Sequence, residues 1–256
     1  MFLIRSLIGR AVLGVIVLLV AAGAGWYFFI RDDNEAQKAA SDVTDEVKAA
    51  ASAQASATAA TATGSASATT APNAAPSTVG AVTYRLVAGQ SSAWYLAPEK
   101  LSRLATSSVA KGTTKDVTGE FHLTATGLDP SKPTTFTVKV LTLKSDESLR
   151  DRRMHDALET TKFPTATFVA TALTGAPEKF TTTETTMQMT GLFELHGVKK
   201  EVTWELKVKE VDGILSGLAT VKFKYTDFGI RKPEVAGFVT VEDEVTIQVQ
   251  LFATKV

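Results

Sequence analysis

An all-β domain of antiparallel strands, carried behind one apolar helix and a linker, is the fold class this sequence predicts. Three observations predict it. From Val82 to the C-terminus, short runs alternate apolar and polar residues at period two. Turn residues, often Gly or Pro, separate those runs at hairpin spacing. Ahead of them stand one long charge-free stretch and about fifty residues with almost no large apolar side chain.

The charge-free stretch runs from Ala11 to Ile30 and ends in Trp26-Tyr27-Phe28-Phe29. As a helix rising about 1.5 Å per residue it spans roughly 30 Å, the thickness of a bilayer's hydrocarbon core. Arg5 and Arg10 precede it, whereas Arg31 is followed by Asp32, Asp33 and Glu35. The positive-inside bias therefore predicts a cytoplasmic N-terminus and an extracytoplasmic remainder. A cleaved signal peptide is the rival reading, since Ala22-Gly23-Ala24 fits a small-residue cleavage site. The apolar run continuing through Ile30 favours a retained anchor, and both readings export the rest of the chain.

Residues 32–80 are Ala-, Ser- and Thr-rich, and their later part reads TTAPNAAPSTVG. Asp32 to Ala53 has a helix-compatible composition. The rest buries too little apolar surface to offset its chain entropy and is expected to be a flexible tether.

The strands come next. Tyr84–Leu86 and Ala93–Tyr95 open the series, and Val117, Gly119, Phe121, Leu123 and Ala125 alternate before the turn GLDPSKP. Phe136, Val138 and Val140 follow, then Ala166, Phe168 and Ala170. The strongest hairpin puts Met187, Met189, Gly191, Phe193 and Leu195 on one face, turns at His196-Gly197, and resumes with Val202, Trp204, Leu206 and Val208. Ala219, Val221, Phe223 and Tyr225 form one more run, and Val245, Ile247, Val249 and Leu251 close the series. One helical segment, Asp146 to Leu158, interrupts it. This order favours an antiparallel barrel or sandwich over a parallel sheet. From patterning alone the inward aromatics and methionines fit a packed core at least as well as a pocket wall.

Composition excludes several function classes. Lys+Arg and Asp+Glu both total 27, so the net charge of zero gives no nucleic-acid footprint. With no cysteine, thiol catalysis, disulfides and thiolate metal sites are absent. The histidines at 122, 155 and 196 share no metal-ligand spacing, and no phosphate loop or nucleophile elbow is present. Asp227-Phe228-Gly229 matches a kinase triplet without the other kinase words; its glycine is expected to permit a bulge or a close backbone approach. Asp151 and His155 stand four apart on the predicted helix, a spacing more often structural than catalytic. Arg150, Arg152 and Arg153 form a basic cluster suited either to solvent or to an anionic head group. His196 is expected to fix its turn, and His122 to face solvent.

Four words of this sequence resemble the YceI-like family of bacterial proteins in order and spacing. They are Arg150-Asp151 opening the helix, Phe163-Pro164-Thr165-Ala166-Thr167-Phe168, Phe193-Glu194-Leu195-His196-Gly197-Val198, and Asp227-Phe228-Gly229-Ile230. The resemblance covers about Val82 to Val256. It departs in the stretch SSAWYLAPEKLSRLATSSVAKGTTKDVTG, which lacks the family's early histidine and where Pro98 is expected to interrupt the strand.

The resemblance implies an antiparallel eight-stranded lipocalin-like barrel with a short helical insertion, preceded here by the transmembrane helix and a disordered linker. The expected division is an anchor over 1–31 (helix about 11–30), a linker over 32–80 and the barrel over 81–256. It further implies that an isoprenoid lipid, an isoprenoid quinone or a polyprenyl phosphate, is held inside without other cofactor or metal. Phe121, Leu123, Phe136, Val138, Phe168, Met187, Met189, Phe193, Trp204, Leu206 and Phe223 are the expected wall, with Arg150 and Arg153 at the head group. The expected function is a membrane-tethered, extracytoplasmic, non-enzymatic carrier or reservoir; a packed envelope interaction domain is the alternative. Expected partners are the lipid and, through the N-terminal helix, the membrane, with no nucleic acid; a homodimer is left open.

Overall fold

The computed structural model describes residues 36–63, 81–101, 107–232 and 239–256. The expected membrane helix over 11–30, and residues 32–35 and 64–80 of the expected linker, lie outside the described residues. Among those described, no helix is long and apolar enough to cross a membrane.

Helix α1 spans Asp45–Thr63. The strands after it are β1 Val82–Leu86, β2 Ser92–Leu101, β3 Ser107–Thr114, β4 Val117–Thr124, β5 Gly127–Leu128 and β6 Thr135–Val138. Helix α2, Ser148–Ala157, lies between β6 and β7 (Ala166–Thr174), inside the segment expected to be helical. Then come β8 Thr185–Leu195, β9 Val198–Val211, β10 Ile214–Lys224, β11 Val239–Val241 and β12 Glu244–Lys255.

Eight of these strands pair antiparallel in the order β1-β4-β6-β7-β8-β9-β10-β12, and β12 pairs back onto β1, closing a barrel. Strand β12 is shared: its Ala253–Lys255 end pairs with β1, and Thr246–Gln250 pair with β2. Strand β2 in turn carries β3 and β11. Pro98 does not interrupt β2, correcting the expectation. It sits opposite Val109, and its carbonyl accepts a hydrogen bond from Glu242 N–H at 2.9 Å.

The expected hairpin is β8–β9, in register from Thr185–Val208 to Leu195–Val198. Its turn residues His196 and Gly197 both take positive φ, 55° and 74°, the two-residue turn whose twist matches the strands. A Cβ at 197 would also stand 2.6 Å from the Phe163 ring, so this turn needs glycine for space as well as for angle.

The largest correction concerns the linker. Residues 36–63 are not free coil: residues 36–43 lie across the outside of β10 and β12, and α1 follows against the same barrel. Gln248 donates to Gln37 C=O and accepts from Gln37 N–H, both at 2.8 Å. Gln250 accepts from Ser41 N–H at 2.9 Å, and Ser216 Oγ donates to Ser41 C=O at 2.5 Å. These glutamines alternate outward on β12, yet they are 1% and 4% exposed, because the strap covers them. Ala40 packs with Trp94, Leu96 and Leu218, and Val47 and Ala51 of α1 pack with Val87, Ile214 and Phe252. Thr44 Oγ1 accepts from Val47 N–H at the start of α1, which also carries Asp45 and Glu46 in its first turn.

Because both glutamine amides are buried and hydrogen-bonded, Gln248→Ala should cost about 1–3 kcal/mol in urea unfolding. It should also speed amide exchange at residues 37–41 while leaving β8–β9 amides protected. Unchanged stability with a fully protected strap would contradict this docking.

Candidate functional site

The barrel interior is not sealed. A cavity of about 310 Å³ runs inside the sheet, within the size range of small-molecule sites. Period-two alternation aims every second side chain inward. Met189, Phe193 and Leu195 from β8, Trp204 and Leu206 from β9, and Ala219 and Phe223 from β10 form one side. Val245, Ile247, Val249 and Leu251 from β12, with Ala93, Tyr95 and Ala97 from β2, form the other. Phe136, Val138, Ala166 and Phe168 complete the wall. Alanines at 93, 97, 110, 166 and 219 are among the lining residues, so the wall is short of side-chain volume at five positions. Sequence reading missed β2 as a wall, although its small–large alternation was there to be read.

Ten of the thirteen residues expected at a ligand line this cavity: Phe136, Val138, Phe168, Met189, Phe193, Trp204, Leu206, Phe223, Arg150 and Arg153. Phe121, Leu123 and Met187 do not. They line a separate void of about 30 Å³ towards the far end. There Tyr84 stacks on Phe121 with ring centres 4.9 Å apart, and Phe180 meets Tyr84 edge-on. Aromatic packing leaves only that small void there, and the larger cavity lies beyond it.

At the other end α2 lies over the barrel. Leu149, Arg150, Arg153, Met154 and Ala157 line the cavity from above, and the exposed Glu147 and Leu149 mark its open side. The helix is capped by Glu147, whose carboxylate accepts from Leu149 N–H. Arg150 pairs with Asp146, one turn before it, and stands 3.8 Å from Glu99 of β2. Arg152 is exposed and is absent from the cavity lining. Burial pushes the Glu99 carboxyl above its ordinary range, against the opposing pull of Arg150. Burial also pushes the Tyr95 phenol up to about 12, and Tyr225 further still. The mouth therefore gathers Tyr95, Glu99, Arg150 and Tyr225, of which sequence reading named only Arg150 for the head group.

The Asp151–His155 pair does not form a working couple. Asp151 accepts from Ser145 N–H and Oγ–H, both at 2.7 Å, and His155 Nδ1 is hydrogen-bonded to Thr160 Oγ1. Both fix the ends of α2. His196 Nδ1–H donates to the Phe228 carbonyl at 3.1 Å, tying the β8–β9 turn to the segment after β10. His122 is buried, correcting its expected exposure: the 129–134 loop covers it, Thr134 Oγ1 accepts from its N–H, and Nδ1 is hydrogen-bonded to Thr83 Oγ1. Gly229 serves neither bulge nor close approach. It caps the Tyr225–Phe228 turn at φ 66°, with nothing near a would-be Cβ. Among the described residues no group of three or more metal-ligating side chains occurs.

A closed antiparallel barrel with an apolar cavity and a helix across its mouth defines a lipocalin-like barrel. Within that class, the chain belongs to the family of the YceI-like domain, whose profile matches residues 36–253. The match includes the docked strap as well as the barrel. Two UPF0312 proteins of Pseudomonas putida, from strains W619 and GB-1, are 33% and 32% identical over 142 residues, 52% of this chain and 70% of each relative. A polyisoprenoid binding domain from Saccharophagus degradans, implicated in plant cell wall breakdown, has a similar fold. Its TM-score is 0.54 at 15% identity, over 67% of this chain and 97% of that one.

The Glu99 carboxyl gives the site a pH signature. Its folded pKa lies above the ordinary 4.5, so the folded state holds the proton more tightly than the unfolded chain. Stability from this group is therefore full below 4.5 and falls as pH rises through the folded value. Glu99→Gln abolishes that loss. The stability of the variant relative to wild type should rise between about pH 4 and pH 7 in parallel urea titrations; a flat difference would show that burial does not govern this group.

Proposed function

We propose that the chain binds a polyisoprenoid lipid, an isoprenoid quinone or a polyprenyl phosphate, with its tail in the barrel cavity. It works as a carrier or reservoir and catalyses no reaction. The observation that carries this reading is the apolar cavity itself, since a purely structural barrel gains by filling its centre. An isoprenoid tail forms no hydrogen bonds, so its affinity comes from apolar area, about 25 cal/mol per Å². The aromatics and methionines along the wall suit a flexible, branched chain. The solved neighbour described as a polyisoprenoid binding domain supports the same ligand class.

We further propose that the barrel works outside the cytoplasmic membrane, held there by the apolar segment over 11–30. The charge asymmetry around that segment supports this placement.

Organic extraction of the purified protein followed by mass spectrometry tests the reading. Wild type from a bacterial host should carry an isoprenoid lipid near one equivalent. Ala219→Phe, which puts a ring into the void, should fold and carry at least about tenfold less. Recovery of no isoprenoid from wild type, or equal amounts from the filled variant, would end the proposal.

A further inference from the structure

We infer that His196 and Glu159 form a proton-operated clasp at the barrel mouth, closed when the imidazole carries two protons and open when it carries one. The inference goes beyond the lipid-binding reading and does not depend on it. Its basis is one ring nitrogen. Among the described residues His196 Nε2 is buried without a hydrogen-bond partner, and Glu159 Oε1 stands 3.5 Å away. The Phe228 carbonyl only accepts, so Nδ1 must carry the proton of the neutral ring. The neutral imidazole therefore turns a bare, buried lone pair towards a carboxylate, and nothing satisfies it. A second proton converts that lone pair into an N–H donor and the contact into an ion pair.

The position of Glu159 supports the same reading. It follows Leu158, the C-cap of α2, and takes a left-handed φ of 46°. Glycine is the usual residue there, because a side chain at such an angle is strained. A glutamate in glycine's place needs a reason, and its carboxylate beside His196 supplies one. Its carbonyl accepts from Lys162 and Phe163 N–H, at 2.8 and 2.9 Å, so Glu159 organises the loop that leaves α2. Phe163 in turn meets the His196 ring edge-on, centres 5.1 Å apart. Ala157 and Leu158, just before Glu159, line the cavity, and so does Leu195, just before His196. A contact between Glu159 and His196 thus joins the helix over the mouth to the wall beneath it.

The other charges around the ring already have partners. Glu194 and Lys199 of the same hairpin pair with each other at 3.3 Å. Asp227, in the 225–228 segment, lies 3.5 Å from Lys200 and accepts from Lys224 N–H. Lys162 approaches Glu159 to 3.7 Å, but both are exposed and such a pair is weak. His155 of α2 is the second imidazole near this loop, hydrogen-bonded through Nδ1 to Thr160 Oγ1. The clasp is therefore closed at acidic pH and opens as pH rises and the second proton of His196 leaves.

The test is amide hydrogen exchange on the full chain in detergent at about pH 5 and about pH 8, either side of the range in which imidazoles titrate. Rates are corrected for the intrinsic pH dependence of exchange. In wild type the amides of 158–163 should be about two- to fivefold better protected at the lower pH, with those of β8 unchanged. Glu159→Gln keeps the shape of an exposed side chain, removes its charge and should abolish the difference. His196→Asn should abolish it too, since asparagine tolerates the φ of 55° and keeps a donor for Phe228 but has no Nε2. His155→Gln should retain it. Equal protection at the two pH values in wild type would overturn the inference. So would a difference that survives Glu159→Gln, or one that only His155→Gln removes.

Discussion

Three rungs between β1 and β12, Tyr84–Lys255, Arg85–Thr254 and Leu86–Ala253, turn a twisted sheet into a ring. Closure leaves the eight ring strands paired around the circle, so the backbone polar groups there are satisfied without solvent. It also forces half of all strand side chains into one enclosed volume. With inward residues as large as Phe168, Phe193, Trp204 and Phe223, eight strands could have packed solid. They do not: alanines occupy several lining positions, and β2 joins β12 on the same edge as β1. The aromatic group of Tyr84, Phe121 and Phe180 sits where β1 pairs with β4.

The strap solves a problem created by the same strands. The outer face of β2, β10 and β12 carries Trp94, Leu96, Leu218, Ile214 and Phe252, an apolar patch too large to leave open to water. Covering it needs no large side chains from the strap, because the patch supplies the area and Gln248 and Gln250 supply the hydrogen bonds. Lys209 pairs with Asp42 and Lys48 with Asp212, so charges at the rim fix the direction in which the strap runs. Exposed pairs of this kind add little energy but do set register. The family profile begins at residue 36, one residue before Gln37 bonds to Gln248.

Legibility in the sequence tracked period and turn chemistry. Met189, Phe193, Trp204 and Leu206 could be assigned inward because alternation is a property of the strand itself, and His196-Gly197 marked its turn through φ. The illegible parts depend on partners far away in the chain. Tyr95 and Glu99 become cavity residues only through pairing with β12 and the approach of α2, about fifty residues on. Strand β3, reading SSVAKGTT, has almost no apolar alternation and is strand only because β2 lies beside it. The strap was read as tether because its own composition buries little; the apolar half of that contact belongs to the barrel. His122 sits on the polar face of β4, and only the later loop over 129–134 makes that face an interior.

The cavity imposes a cost that bears on why it exists. At roughly 24 cal/mol per Å³, an unfilled void of about 310 Å³ forfeits on the order of 7 kcal/mol against a filled centre. That is comparable to the whole stability of an ordinary domain. Larger residues at Ala93, Ala166 or Ala219, all on the lining, would recover part of it. Among the described residues the buried Tyr95 Oη and Trp204 Nε1 have no hydrogen-bond partner, which adds to the same deficit. Both losses fall within one volume. Any guest that binds only the folded state stabilises it by RT ln(1 + [L]/Kd). The open barrel therefore carries a cost that its ring closure and strap must offset.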